Sequence, residues 1–248
     1  ANDNLPNLSL VRLPHDHFGN FGSAIDGVNT VETQMADNDY AVGLLIEKVA
    51  NSKYRDNTLI FAIEDDAQNG GDHVDAHRSI ALVAGSVVKR EEVVSRHYTT
   101  VSVIRTIVDV LGIESPGLND ALAAPMAAIF NPYPQAWSYA AEVPAVLYTT
   151  ALPLPVPSAA NLAGTGALRT ADYWERAMAA QNFEREDDLA TDLFNQALWT
   201  GLRGEDVSYP HIRHGRDMRR NRERLLAIYR AEAARSASPT PADTTSAR

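Results

Sequence analysis

The chain has 248 residues, 45% of them hydrophobic and 22% charged, enough for one large globular domain or a domain with an appendage. Its 22 basic residues stand against 32 acidic ones, and a net charge of −10 argues against general nucleic-acid binding, which needs a basic face over the phosphates. With no cysteine, the chain forms neither a disulfide nor a thiolate zinc site.

Ala1-Asn2-Asp3-Asn4 has no basic n-region or apolar h-region, so no signal peptide is visible, and the N-terminus reads as mature or truncated. Leu8 to Leu13 is a short β-like run closed by Pro14, followed by a loop rich in Gly, Asn and Thr through Thr33. From Asp37 or Asp39 the pattern turns helical, with Asn38 or Asp39 as N-cap and Tyr40, Leu44, Leu45 and Val49 as one apolar stripe. Thr58 to Ile63 and Ile80 to Ala84 are continuous apolar runs of strand length, suited to strands buried on both faces. Between them lies the acidic, Gly-rich stretch Glu64 to His77. Thr99 to Leu111 reads as a helix with Val103, Ile107, Val110 and Leu111 on one face and Gly112 at its end, and a shorter helix is expected over Asp120 to Phe130. Strands alternating with helices predict an α/β domain with a largely parallel sheet sandwiched by helices, whose ligands sit at the carboxyl ends of the strands.

Composition changes after Phe130. Residues 131–168 are rich in Pro and Ala and read as a surface segment wrapping the core. Ala171 to Trp199 looks helical again, anchored by Trp174, Met178, Leu189, Leu193, Phe194 and Leu198. Arg213 to Arg235 holds eight Arg against Asp217, Glu223 and Glu232; a solvated terminal helix is the plain reading, an acidic partner or anionic lipid the alternative. The tail from Ser236 has the composition of a disordered segment. The expected organisation is an α/β domain over 1–130, its Pro/Ala-rich and helical extension over 131–210, and a basic helix with a tail over 211–248. No run approaches the roughly 20 apolar residues that span a bilayer.

Three polar clusters fall at predicted strand ends: His15-Asp16-His17 after the first run, Glu64-Asp65-Asp66 after the second, and Asp72-His73-Val74-Asp75-Ala76-His77 before the third. Any one alone is ordinary solvated surface. Packed at one site, the carboxylates repel each other and one is pushed to a raised pKa unless a cation neutralises them. Carboxylate plus imidazole suits Zn²⁺, Mn²⁺ or Fe, whereas oxygen-only ligation suits Ca²⁺ or Mg²⁺. An EF-hand over Asp65 to His77 fails, because the alternating ligands and final Glu are not at the required spacing.

Leu13-Pro14-His15-Asp16-His17 resembles the Leu-Pro-Asn-Asp-His motif of bacterial phosphoesterases in the alkaline phosphatase superfamily, a group that includes phospholipase C- and acid phosphatase-like enzymes. Ala36 to Gly43, Thr58 through Ser79, His97-Tyr98-Thr99-Thr100 into Ile107, and Asn195 through Gly204 are similar to later segments of that family, in the same order. The resemblance implies two divalent ions, with Zn²⁺ or Mn²⁺ favoured over Ca²⁺ or Mg²⁺. Asp16 and His17, with His77, would hold one ion; Asp65 and Asp66 would hold the other; His73 competes with His77 for the last position. His97 and Tyr98 would face the substrate, Asp39 would support the site, and His15 stands where the family has Asn. The implied activity is hydrolysis of phosphate esters, and the implied location secreted or periplasmic. In the superfamily the nucleophilic Ser or Thr lies upstream of the Asp-His motif. Here Ser9 reads as structural and Thr30 and Thr33 come after the motif, so the chain is expected to be a C-terminal part without the nucleophile or first strands. A non-catalytic metal-binding fragment is one alternative; a phospholipase C-type diesterase, sulfatase or phosphomutase is another.

Overall fold

The computed structural model describes residues 5–15, 18–64, 80–117, 119–157, 167–185 and 188–209. The chain divides into two compact units, Ala1–Leu202 and Arg203–Arg248. The first takes in both the expected α/β region and most of its extension. In the second, the expected basic helix and tail lie outside the described residues.

Helix α1 spans Val31–Ala50. It starts there because Thr30, in an extended conformation, accepts from the Thr33 amide while the Thr33 hydroxyl accepts from the Thr30 amide, a reciprocal capping box. The expected caps Asn38 and Asp39 therefore lie inside the helix. Packing favours the earlier start, since Val31, Thr33 and Gln34 are buried. The expected stripe is also displaced: Leu44 and Leu45 are exposed, and the buried positions of the later turns are Gly43 and Ala50. Small residues are needed there because a later segment runs close, as described below.

An aromatic core anchors the start of α1. It joins Phe21 and Val31 to Trp174 and Met178 near helix α3 (Ala171–Ala177) and to Phe194 of helix α4 (Thr191–Arg203). Phe21 and Trp174 stack at 6.3 Å, and Phe183 stands edge-on to Phe21 at 6.2 Å. The indole nitrogen of the fully buried Trp174 donates to Glu32 Oε2 at 3.1 Å, and Glu32 Oε1 accepts from the Leu168 amide at 3.1 Å. One carboxylate in the first turn of α1, where the helix dipole favours it, thus ties that helix to the entry of α3. The single helix expected over Ala171 to Trp199 is interrupted because polar side chains take over the backbone: Asn182 Oδ1 accepts from the Glu184 amide and Gln181 Oε1 from the Ala190 amide.

The second core lies on a hairpin. Strands β1 (Leu59–Ile63) and β2 (Ala81–Gly85) pair antiparallel, with Leu59 opposite Gly85 and Ile63 opposite Ala81. Among the described residues this two-stranded ladder is the sheet, and the expected parallel pairing is not seen there. Nor are the strands buried on both faces as expected, since Ile63, Ala81 and Leu82 are exposed; a continuous apolar run fixes neither strand direction nor the chain that covers it. Gly85 is required by close approach, as a Cβ would lie 2.7 Å from Leu59 Cδ2 and 2.9 Å from the Thr58 carbonyl oxygen.

Helix α2 (Thr100–Leu111) begins at a second capping box, Thr99 with Ser102, and ends at Gly112 in the left-handed region, both at the expected positions. Its Val103 packs with Met126 and Ile129 against Phe61 and Val83 of the hairpin. The Asp109 hydrogen bond and charge hold the Arg105 pKa above its usual value, and Arg105 also donates to the Ala121 carbonyl. The helix expected over Asp120 to Phe130 is two 3-10 turns, Asp120–Leu122 and Ala127–Ile129, because Pro125 lacks the amide that would continue it.

Residues 131–157 wrap the unit as a strap. Gln135 donates to Ser86, Trp137 Nε1 to the Arg55 carbonyl, Ala141 to Glu47 Oε2 and Ala151 to the Asp26 carbonyl. The 3-10 turn Ala145–Thr149 buries Leu147 beside α1. Leu8 to Leu13 forms no strand: no described segment pairs with it, and Leu10 is 97% exposed. No helix among the described residues is long and apolar enough to cross a membrane.

Candidate functional site

Asp16, His17, Asp65, Asp66, His73 and His77 lie outside the described residues. Among the described residues, no group of three or more His, Asp or Glu could hold a metal ion. The described residues fix the segments that flank the candidates.

The first motif is held on both sides. After it, Phe18, Gly19 and Asn20 all have positive φ, 55°, 103° and 51°, and turn the chain sharply. Phe18 packs 6.2 Å from Phe194, a Cβ at Gly19 would press on the Phe183 ring at 3.2 Å, and Gln34 Nε2 donates to the Gly19 carbonyl at 2.7 Å. Before it, Asn38 Nδ2 donates to the Leu13 carbonyl at 3.0 Å, and His15 Nδ1 is hydrogen-bonded to Asp37 Oδ2. Helix α1 thus grips the chain at Leu13 and His15 through consecutive side chains and at Gly19 through Gln34. Asp39, the expected supporting residue, is exposed on α1.

The second and third clusters belong to the connection between β1 and β2. Beyond the terminal pair Ile63–Ala81, the Glu64 amide donates to the Ile80 carbonyl at 3.2 Å. The chain therefore leaves and re-enters the ladder at one junction. Asp65 and Asp66 follow that junction directly in sequence, and His77 precedes Ile80 by three positions.

A cavity of about 330 Å³ opens beside the same junction, lined by Ile63 and Ala81 and floored by Val83, Val103, Met126 and Ile129. Its polar rim is Lys89, Glu92, Arg96, Tyr98, Thr99 and Thr100. Lys89 Nζ lies 3.2 Å from Glu92 Oε1. The Tyr98 hydroxyl is buried and has no hydrogen-bond partner. A buried polar atom left this way costs free energy, about 1–3 kcal/mol. The N-terminus of α2, positive by its dipole, sits at the rim through Thr99 and Thr100. Arg96 and a helix N-terminus, beside the Lys89–Glu92 ion pair, leave a net positive charge of one at the rim, which suits an anionic ligand. Of the two expected substrate residues, Tyr98 lines the cavity; His97 is exposed and does not.

Sequence reasoning missed Asp37, Lys89 and Arg96. No signal marked the first, since Asp37, Asn38 and Asp39 span about 200° of the helix and can all lie on its polar face. Lys89 and Arg96 lie in irregular chain, where no periodicity marks a facing direction. Comparison with protein-family models, with curated proteins and with solved structures finds no match for this chain.

Proposed function

We propose that this chain carries the metal-binding part of a phosphate-ester hydrolase of the alkaline phosphatase superfamily type. The observation that carries the reading is the β1–β2 junction: the segment bearing Asp65, Asp66, His73 and His77 starts and ends there, beside a cavity with an anion-suited rim. The donor set fits the group it would hold, since carboxylate and imidazole together suit Zn²⁺ or Mn²⁺. Asp16 and His17 with His77 would hold one ion and Asp65 with Asp66 the other, His73 being the alternative imidazole. Bound ions of this kind supply Lewis-acid stabilisation of phosphoryl oxygens.

The described residues supply binding and orientation. Arg96 and the N-terminus of α2, beside the Lys89–Glu92 pair, attract the phosphate dianion into the cavity. The apolar floor of Val103, Met126 and Ile129 excludes water from the far side. The nearby hydroxyls of Thr99 and Ser102 are engaged in capping α2, so we assign neither as nucleophile. The test is release of a chromophore from a phosphate monoester, a phosphodiester and a sulfate ester, with the chelator-treated chain and added Zn²⁺ or Mn²⁺. Stoichiometric Zn²⁺ or Mn²⁺ binding with slow or no ester turnover supports a metal-binding part without its nucleophile, and any metal-dependent release should be fastest from a phosphate ester. Absence of any stoichiometric Zn²⁺ or Mn²⁺ binding by calorimetry sinks it.

A further inference from the structure

We propose that the cavity between the hairpin and α2 binds a small amphiphilic anion, its apolar group on the floor and its head, a carboxylate or phosphate, at the rim beside Arg96. The inference rests on the anion-binding part of the reading above and needs no metal ion. The residues that carry it are all among those described. Val88, Val103, Met126 and Ile129 are 4–8% exposed and line the cavity together with the partly buried Val83 and Val94. Val88 is bridged to Phe130, and the Lys89 amide donates to the Ile129 carbonyl at 2.9 Å, so wall and floor are joined through the backbone.

Two features select the class of ligand. The first is the polarity of the floor. Val, Met and Ile side chains offer no partner to a hydroxyl, so a sugar or polyol would give up its hydrogen bonds to water on entering, whereas an alkyl or aryl group gains by leaving water. The volume is about 330 Å³. An apolar cavity of about 150 Å³ already takes a benzene ring, so there is room for a ring or short chain with its head group. The second feature is charge. Lys89 and Glu92 neutralise each other at 3.2 Å, while Arg96 makes no hydrogen bond or ion pair among the described residues. Its planar guanidinium suits a carboxylate or phosphate, and Thr99 and Thr100, where α2 begins, add the positive end of the helix dipole. An uncharged apolar molecule would leave Arg96 unused, and a bare ion would leave the floor to water. A molecule with both parts uses the whole cavity.

The experiment is calorimetric titration of the full chain in EDTA with phenyl phosphate, phenylacetate, inorganic phosphate and benzyl alcohol. At least one of the two aromatic anions is expected to bind about tenfold or more tighter than either inorganic phosphate or benzyl alcohol, and which one binds identifies the head group. Val94→Phe fills the cavity from the partly buried wall, and Ala81→Leu fills it from the exposed end of β2. Either is expected to weaken the aromatic anion about tenfold and leave inorganic phosphate unchanged, with a thermal midpoint close to that of the unaltered chain showing that the variant is folded. Arg96→Gln is expected to weaken the anions about fivefold or more and leave benzyl alcohol unchanged. If inorganic phosphate binds as tightly as phenyl phosphate and folded filling variants change nothing, the apolar part of the inference is overturned and the anion reading survives. If benzyl alcohol binds as tightly as the anions, or Arg96→Gln is silent, the head is not held at the rim and the inference falls. If none of the four binds, the inference and the anion-binding reading fall together, while Zn²⁺ or Mn²⁺ binding without EDTA still decides the metal reading.

Discussion

Replacing Gly201 by Ala sets two opposing effects against each other at the aromatic core. Alanine is the better helix former by about 1 kcal/mol, which favours the variant in α4. The new methyl, however, would stand 2.2 Å from Trp174 Cη2, 2.7 Å from Cζ3 and 2.8 Å from Cζ2. Carbon–carbon contacts are comfortable at about 3.5–4.0 Å, so the indole must retreat by more than about 1 Å. It has little room to do so. The ring is fully buried, stacked on Phe21, met edge-on by Tyr173 at 5.4 Å, and tied by its nitrogen to Glu32. Overpacking of a filled core costs about 1–3 kcal/mol, and a ring held on this many sides belongs at the upper end. The net expectation is destabilisation by about 2 kcal/mol, or about 4–8 °C in Tm for a chain of this size. Gly43→Ala in α1 is the control: its Cβ would meet Ala141 Cβ at 3.3 Å and the Tyr139 hydroxyl at 3.5 Å, tight but yielding. There the helix preference should dominate, leaving stability unchanged or raised by up to about 1 kcal/mol. Urea unfolding of both variants, with the slope checked for constancy, makes the comparison. Equal midpoints for the two would refute the packing of Trp174 against α4.

Asp65→Asn or Asp66→Asn is expected to weaken Zn²⁺ and Mn²⁺ binding far more than Asp75→Asn, because the adjacent pair matches expected ligands and Asp75 does not; equal losses at all three in calorimetry would indicate a diffuse acidic surface. Tyr98→Phe removes a buried hydroxyl that has no partner, so unfolding stability should hold or rise by about 1 kcal/mol. A Tyr98→Phe chain that loses stability in urea unfolding would show that the hydroxyl is paired.

The elements legible in the sequence are those whose signals are local. Thr99-x-x-Ser102 and Gly112 bracket α2 because capping and left-handed termination are decided within a few residues. The runs at Leu59 and Ala81 are strands because apolar, partly β-branched residues suit a pleated surface. What stayed hidden depends on distant chain. The start of α1 is fixed by burial of Val31 and Gln34, and the Asp37-Asn38-Asp39 cluster imitates a cap in sequence while standing in mid-helix. Leu8 to Leu13 has strand composition, but a strand exists only with a partner, and none of the described chain supplies one. The site divides similarly. Tyr98 stands out only through the resemblance of His97-Tyr98-Thr99-Thr100 to a family segment, whereas the pairing of His15 with Asp37 spans 22 positions and leaves no pattern in between. The metal candidates were legible as clusters of chemistry, and their geometry lies outside the described residues.

The carboxylate of Glu32 is joined to Leu168 and Trp174, partners 136 and 142 positions later in the chain. During synthesis, at about 5–20 residues per second, roughly 7–30 s separate the appearance of Glu32 from that of Trp174. Throughout that interval Phe21 and Val31 have been made, but their neighbours Trp174, Met178 and Phe194 have not. The aromatic core at the start of α1 is therefore completed only late in translation, long after α1 itself has been made.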